Sequence, residues 1–76
     1  MEEKWVICRE DEEGQLFLFD ISNKGKIHST CYVENAMSFP SKKIALKMLD
    51  VVESMSEDWF NSSVAQVKLE LKIEKN

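Results

Sequence analysis

One stretch of this chain carries a helical period, and it begins just after a proline. Pro40 favours an extended Phe39, so a helix is not expected to start before it. Ser41 then stands where an N-cap belongs. From Lys42 onward, Ala45, Met48, Leu49, Val52 and Met55 fall on one stripe, with Trp59 next in line and Ile44 at the margin. Lys43, Lys47, Asp50, Ser54 and Glu57 take the opposite face. One helix covers only one face of a sheet, and the rest of the chain reads as strand and turn. The chain is therefore limited to a single helix on a small sheet.

The strands follow from period-two alternation and turn residues. Residues 5–10 are β-branched and aromatic, and residues 11–14 close on a glycine. In residues 16–21, Phe17, Phe19 and Ile21 share one face by parity, and Leu16 and Leu18 share the other. The two segments read as a hairpin. Ser22, Asn23, Lys24 and Gly25 make a second turn before a third strand over residues 26–33. Residues 36–39 suit a brief strand or a packed loop. The last segment alternates strictly: Ala65, Val67, Leu69, Leu71 and Ile73 against Gln66, Lys68, Glu70, Lys72 and Glu74. That pattern predicts a long strand with its apolar face on the helix. The expected class is α+β: a mainly antiparallel sheet of three to five strands, packed on one face by one helix, in the order β-β-β-α-β. A right-handed crossover would lay the last strand beside the first and parallel to it, for a sheet order of 3-2-1-4.

Size and charge narrow the function classes. The 76 residues suffice for one domain, 1–76, and a domain this small buries only about 60% of its unfolded surface. The net charge of −4 argues against direct nucleic-acid binding. No apolar run reaches the roughly 20 residues of a membrane span, and the start of the chain lacks the features of a secretory leader. Cys8 and Cys31 are too few and too far apart for a disulfide framework, so two reduced, mostly buried thiols and a cytoplasmic location are expected.

No constellation for catalysis is found. His28 and Cys31 lie at an odd offset, which puts them on opposite faces of a strand. Two cysteines and one histidine fall short of a zinc site. The acidic run Glu10, Asp11, Glu12 and Glu13 lacks the spaced ligands of a calcium loop. Gly14 and Gly25 stand alone and form no phosphate cradle. No enzyme activity, metal or cofactor is expected. Two features exceed what a minimal core needs. The hairpin is apolar on both faces, which leaves Leu16 and Leu18 without cover. Trp59 and Phe60 are adjacent, so both cannot enter one core.

The chain resembles a loose class of short proteins encoded by phages and prophages. The residues that carry the likeness are Trp5-Val6-Ile7-Cys8-Arg9, then Ala36, Phe39, Ser41, Lys42 and Ala45 at the helix entry, then the alternating final strand. Members usually carry acids after the lysine; here Lys43 and Ile44 stand there, so the capping-box glutamate is missing. The resemblance implies an accessory factor, with no catalytic residues, that alters a host or defence protein by contact in the host cytoplasm. The expected partner is a protein or a second copy of this chain, with no membrane and no direct nucleic acid. Glu10, Asp11, Glu12, Glu13, Leu16, Leu18, Trp59 and Phe60 are the candidate contact residues. The alternative is an acidic mimic of nucleic acid that occupies a DNA- or RNA-binding cleft.

Overall fold

A computed structural model describes residues 3–67. Four strands form one antiparallel sheet: β1 (Lys4–Asp11), β2 (Gly14–Ile21), β3 (Ile27–Thr30) and β4 (Ser63–Val67), in the order β3-β2-β1-β4. The one α-helix among the described residues, α1 (Lys42–Met55), packs on one face. Two short 3₁₀ turns, Val33–Asn35 and Glu57–Trp59, flank it in sequence. The architecture is the α+β class expected, with the expected strand order. The expected parallel direction of the last strand is wrong, because β4 runs antiparallel to β1.

That reversal has a physical cause. A crossover rule assumes that the helix alone makes the return journey from β3. Here residues 31–41 make it first. Phe39 pairs antiparallel with Trp5, its N–H donating to the Trp5 carbonyl at 2.8 Å and its carbonyl accepting from the Trp5 N–H at 2.9 Å. The helix therefore starts at the N-terminal end of β1, where the Lys42 ammonium lies 5.8 Å from the Trp5 ring centroid. It delivers the chain to the far end, where Arg9 meets Asp58. From there β4 can only run back, with Ser63 opposite Cys8 and Val67 opposite Lys4.

Ser41 caps the helix as expected, its hydroxyl accepting from the Ile44 N–H at 3.2 Å. Ala45, Leu49 and Val52 are buried. Met55 is not: the helix ends there, and it stays exposed with Ile44. Trp59 reaches the core from the second 3₁₀ turn rather than from the helix.

The sheet faces depart from simple parity. A bulge in β2 lies between Leu18, opposite Ser29, and Asp20, opposite His28. One extra residue, Phe19, shifts the alternation, so Leu18 and Ile21 both pack towards the helix with Ile7, Ile27 and Val64. Leu18 is fully buried. The reading that left Leu18 uncovered is therefore corrected, and Leu16 is half-buried. Phe19 is the exposed large apolar side chain of this strand.

The bulge also opens a fork. Pairing of β1 with β2 runs from Asp11↔Gly14 to Cys8↔Phe17. Beyond it, residues 37–39 enter between the strands. The Met37 N–H donates to the Leu18 carbonyl at 2.8 Å, and Phe39 occupies the side of Trp5 away from β4. Otherwise unpaired backbone groups are satisfied, and Phe39 joins the core.

The final strand faces the other way from expectation. Val64, opposite Ile7, packs on the core, so Ala65 and Val67 point to the face away from α1. The expectation for Leu69, Leu71 and Ile73 lies outside the described residues. Val6 and Cys8 share this outer face with Ala65, Phe17 and Ser63, and both are buried. Both cysteines are free, but Cys31 is exposed, contrary to the burial expected for it. The third strand ends at Thr30, short of the predicted residue 33, because Val33 opens a 3₁₀ turn.

Candidate functional site

The β1–β2 turn brings the acidic residues to one end of the sheet. Glu10, Asp11, Glu12 and Glu13 are all exposed. Asp11 pairs with Gly14, whose φ of 134° suits glycine. The Asp11 carboxylate accepts from the Glu13 N–H at 2.8 Å, so one acid is spent on holding the turn. The other three are left to project into solvent.

The segment after the helix arrives at the same end. Ser56 ends α1 and its hydroxyl accepts from the Asp58 N–H at 3.2 Å, starting the 3₁₀ turn Glu57–Trp59. This turn buries Trp59 to 3% exposure and leaves Phe60 64% exposed. Adjacent side chains diverge there as expected, and Trp59 is therefore a core residue rather than a contact residue. Arg9 ties the two segments together. Its guanidinium carbon lies 5.1 Å from the Trp59 ring centroid, and its Nη1 donates to the Asp58 carbonyl at 3.3 Å. Its Nε is buried without a hydrogen-bond partner among the described residues.

Between them lies a cleft of about 340 Å³, lined by Cys8, Arg9, Glu10, Gln15, Asn61 and Ser63. The Cys8 thiol sits 3.5 Å from the Ser63 hydroxyl. A thiol beside a hydroxyl has no base to activate it, and His28 lies two strands away on β3. Among the described residues, no three metal-ligating side chains gather. No helix among them is long and apolar enough to cross a membrane.

Of the eight candidate residues, Glu10, Asp11, Glu12 and Glu13 share the β1–β2 turn, and Phe60 is exposed next to Asn61, which lines the cleft with Glu10. Leu18 and Trp59 belong to the core. Leu16 pairs with Arg9 on the helix face. Sequence reasoning missed Arg9, Asn61 and Ser63, because nothing in their spacing links β1 to the segment after the helix. It also missed the exposure of Tyr32, Leu46 and Val51. No protein-family model, curated protein or solved structure matches this chain.

Proposed function

We propose that this chain is a small non-enzymatic binding protein that engages a partner protein through the acidic end of its sheet. The observation that carries the reading is Phe60, an aromatic ring 64% exposed in the segment between Asp58, which meets Arg9, and Asn61, which lines the cleft with Glu10. A fully covered aromatic buries about 150–250 Å², and such rings are favoured anchors when a partner supplies a pocket. Glu10, Glu12, Glu13 and Asp58, all exposed, would steer a basic surface into place. The resemblance to phage-encoded accessory proteins points to a host or defence protein as that partner.

The mimic of nucleic acid remains the second reading, and the separation of charge favours it. The turn acids lie at one end of β2, and Lys24 and Lys26 follow its other end, about 23 Å away by strand rise. The two readings part on one experiment. The tagged chain, Phe60→Ala, and Glu10→Gln/Glu12→Gln/Glu13→Gln are each used to capture bacterial lysate proteins across a salt series. An anchor-led interface loses its partner in Phe60→Ala and tolerates salt. A mimic keeps it in Phe60→Ala but loses it steeply with salt and with the glutamine variant. A partner retained by both variants would refute both readings.

A further inference from the structure

We propose that two copies of this chain pair through α1, antiparallel about a two-fold axis, along a ridge formed by Ile44, Met48, Val51 and Met55. These residues recur at i, i+4, i+7 and i+11, the spacing of a coiled-coil seam over about 16 Å of helix. The ridge flanks the buried stripe of Ala45, Leu49 and Val52. Ile44 is 46% exposed, Val51 47% and Met55 39%, with Met48 half-buried. Met48 packs in part against the core, whereas the exposure of Ile44, Val51 and Met55 is not accounted for by the core packing of α1. The proposal is independent of the acidic end.

The charge pattern identifies the occupant as a second copy. Lys42, Lys43 and Lys47 occupy the N-terminal half of the helix, and Asp50, Glu53, Glu57 and Asp58 follow in the second half and the 3₁₀ turn. The first turn contains no acid and the last turn no base. This polarity opposes the helix macrodipole and is unfavourable within one chain. It is complementary to itself when a second helix runs the opposite way. With the two-fold axis between Met48 and Val51, Ile44 meets Met55 of the second copy and Met48 meets its Val51. The lysine-bearing first half of each helix then runs alongside the acid-bearing second half of the other. A parallel pairing would instead set lysine against lysine and acid against acid. The interface is isologous, so this approach of opposite charges occurs twice.

The test is sedimentation velocity of the full chain from about 0.01 to 1 mM. The wild type is expected to reach a dimer. Val51→Glu is expected to remain monomeric with an unchanged far-UV spectrum, since that side chain is half exposed. Lys43→Glu/Lys47→Glu and Asp50→Lys/Glu57→Lys are each expected to weaken the dimer about tenfold or more. Mixed in equal amounts, these two variants are expected to restore dimer, with native mass spectrometry showing one chain of each. A wild type that stays monomeric would overturn the proposal. So would a dimer indifferent to Val51→Glu, or a mixture that recovers no heterodimer.

Discussion

Leu18 and Phe19 stand side by side in β2, and the bulge gives them opposite fates. Leu18 is fully buried in the core cluster, whereas Phe19 is 48% exposed. Leu18→Ala removes three carbons from the core. At about 0.8 kcal/mol per buried methylene the transfer loss alone is about 2.4 kcal/mol. The cavity left between Ile7, Val52 and Phe39 raises the total to about 3–5 kcal/mol. A 76-residue domain has only about 4–11 kcal/mol in all, so the variant retains little of its stability. Phe19→Ala should cost under about 1 kcal/mol despite deleting a larger side chain. Urea unfolding followed by tryptophan fluorescence reads both, since Trp59 is buried and loses its environment on unfolding. With a slope near 1 kcal/mol per molar, Leu18→Ala should lower the midpoint by about 3 M or more, until no native baseline remains. The bulge assignment fails if Phe19→Ala proves the more damaging change, or if Leu18→Ala costs less than about 0.5 kcal/mol.

Ser41→Ala should destabilise by about 1 kcal/mol through loss of the cap to the Ile44 N–H, with Ser41→Asp close to wild type in thermal unfolding. Cys31 should react with a thiol reagent at the rate of a free thiol in the native protein, and Cys8 only on unfolding; equal native rates would contradict the burial described for Cys8. Gly25→Ala should cost about 1 kcal/mol from its φ of 77° alone, because the nearest side-chain atom to an added Cβ, the Met55 methyl, is 3.7 Å away. A Gly25→Asn variant that recovers part of the loss would confirm a backbone cause.

Local signals in the sequence carried much of the fold. Pro40 and Ser41 marked the helix start, because a cap and a φ restriction act on neighbouring residues. The period-two runs marked the hairpin, and Gly14 marked its turn. The acidic turn was legible as a solvated surface for the same reason. What local pattern does not encode is a count over two strands. A bulge adds one residue to one strand only, and β2 reads as unbroken alternation through Phe17, Phe19 and Ile21. Parity then assigned Leu18 to the wrong face. The final strand failed likewise: its stripe of Ala65 and Val67 is the more regular, yet Val64 is the side chain that meets the core.

The candidate site was half legible for a related reason. The acids could be found by composition, but not their neighbours, since Arg9 and Asp58 stand 49 residues apart. What joins them is the route of the chain, and that route turns on residues 37–39. Were β2 paired with β1 throughout, its partner groups would leave no room beside Trp5 for Phe39. The extra residue at Phe19 steers β2 away, the fork admits the returning chain, and the helix is obliged to begin at the N-terminal end of β1. Its fourteen residues then climb about 21 Å, enough to carry the chain back along β1 towards Arg9. Phe60 therefore comes to lie at the acidic end because of a bulge two strands away from β4.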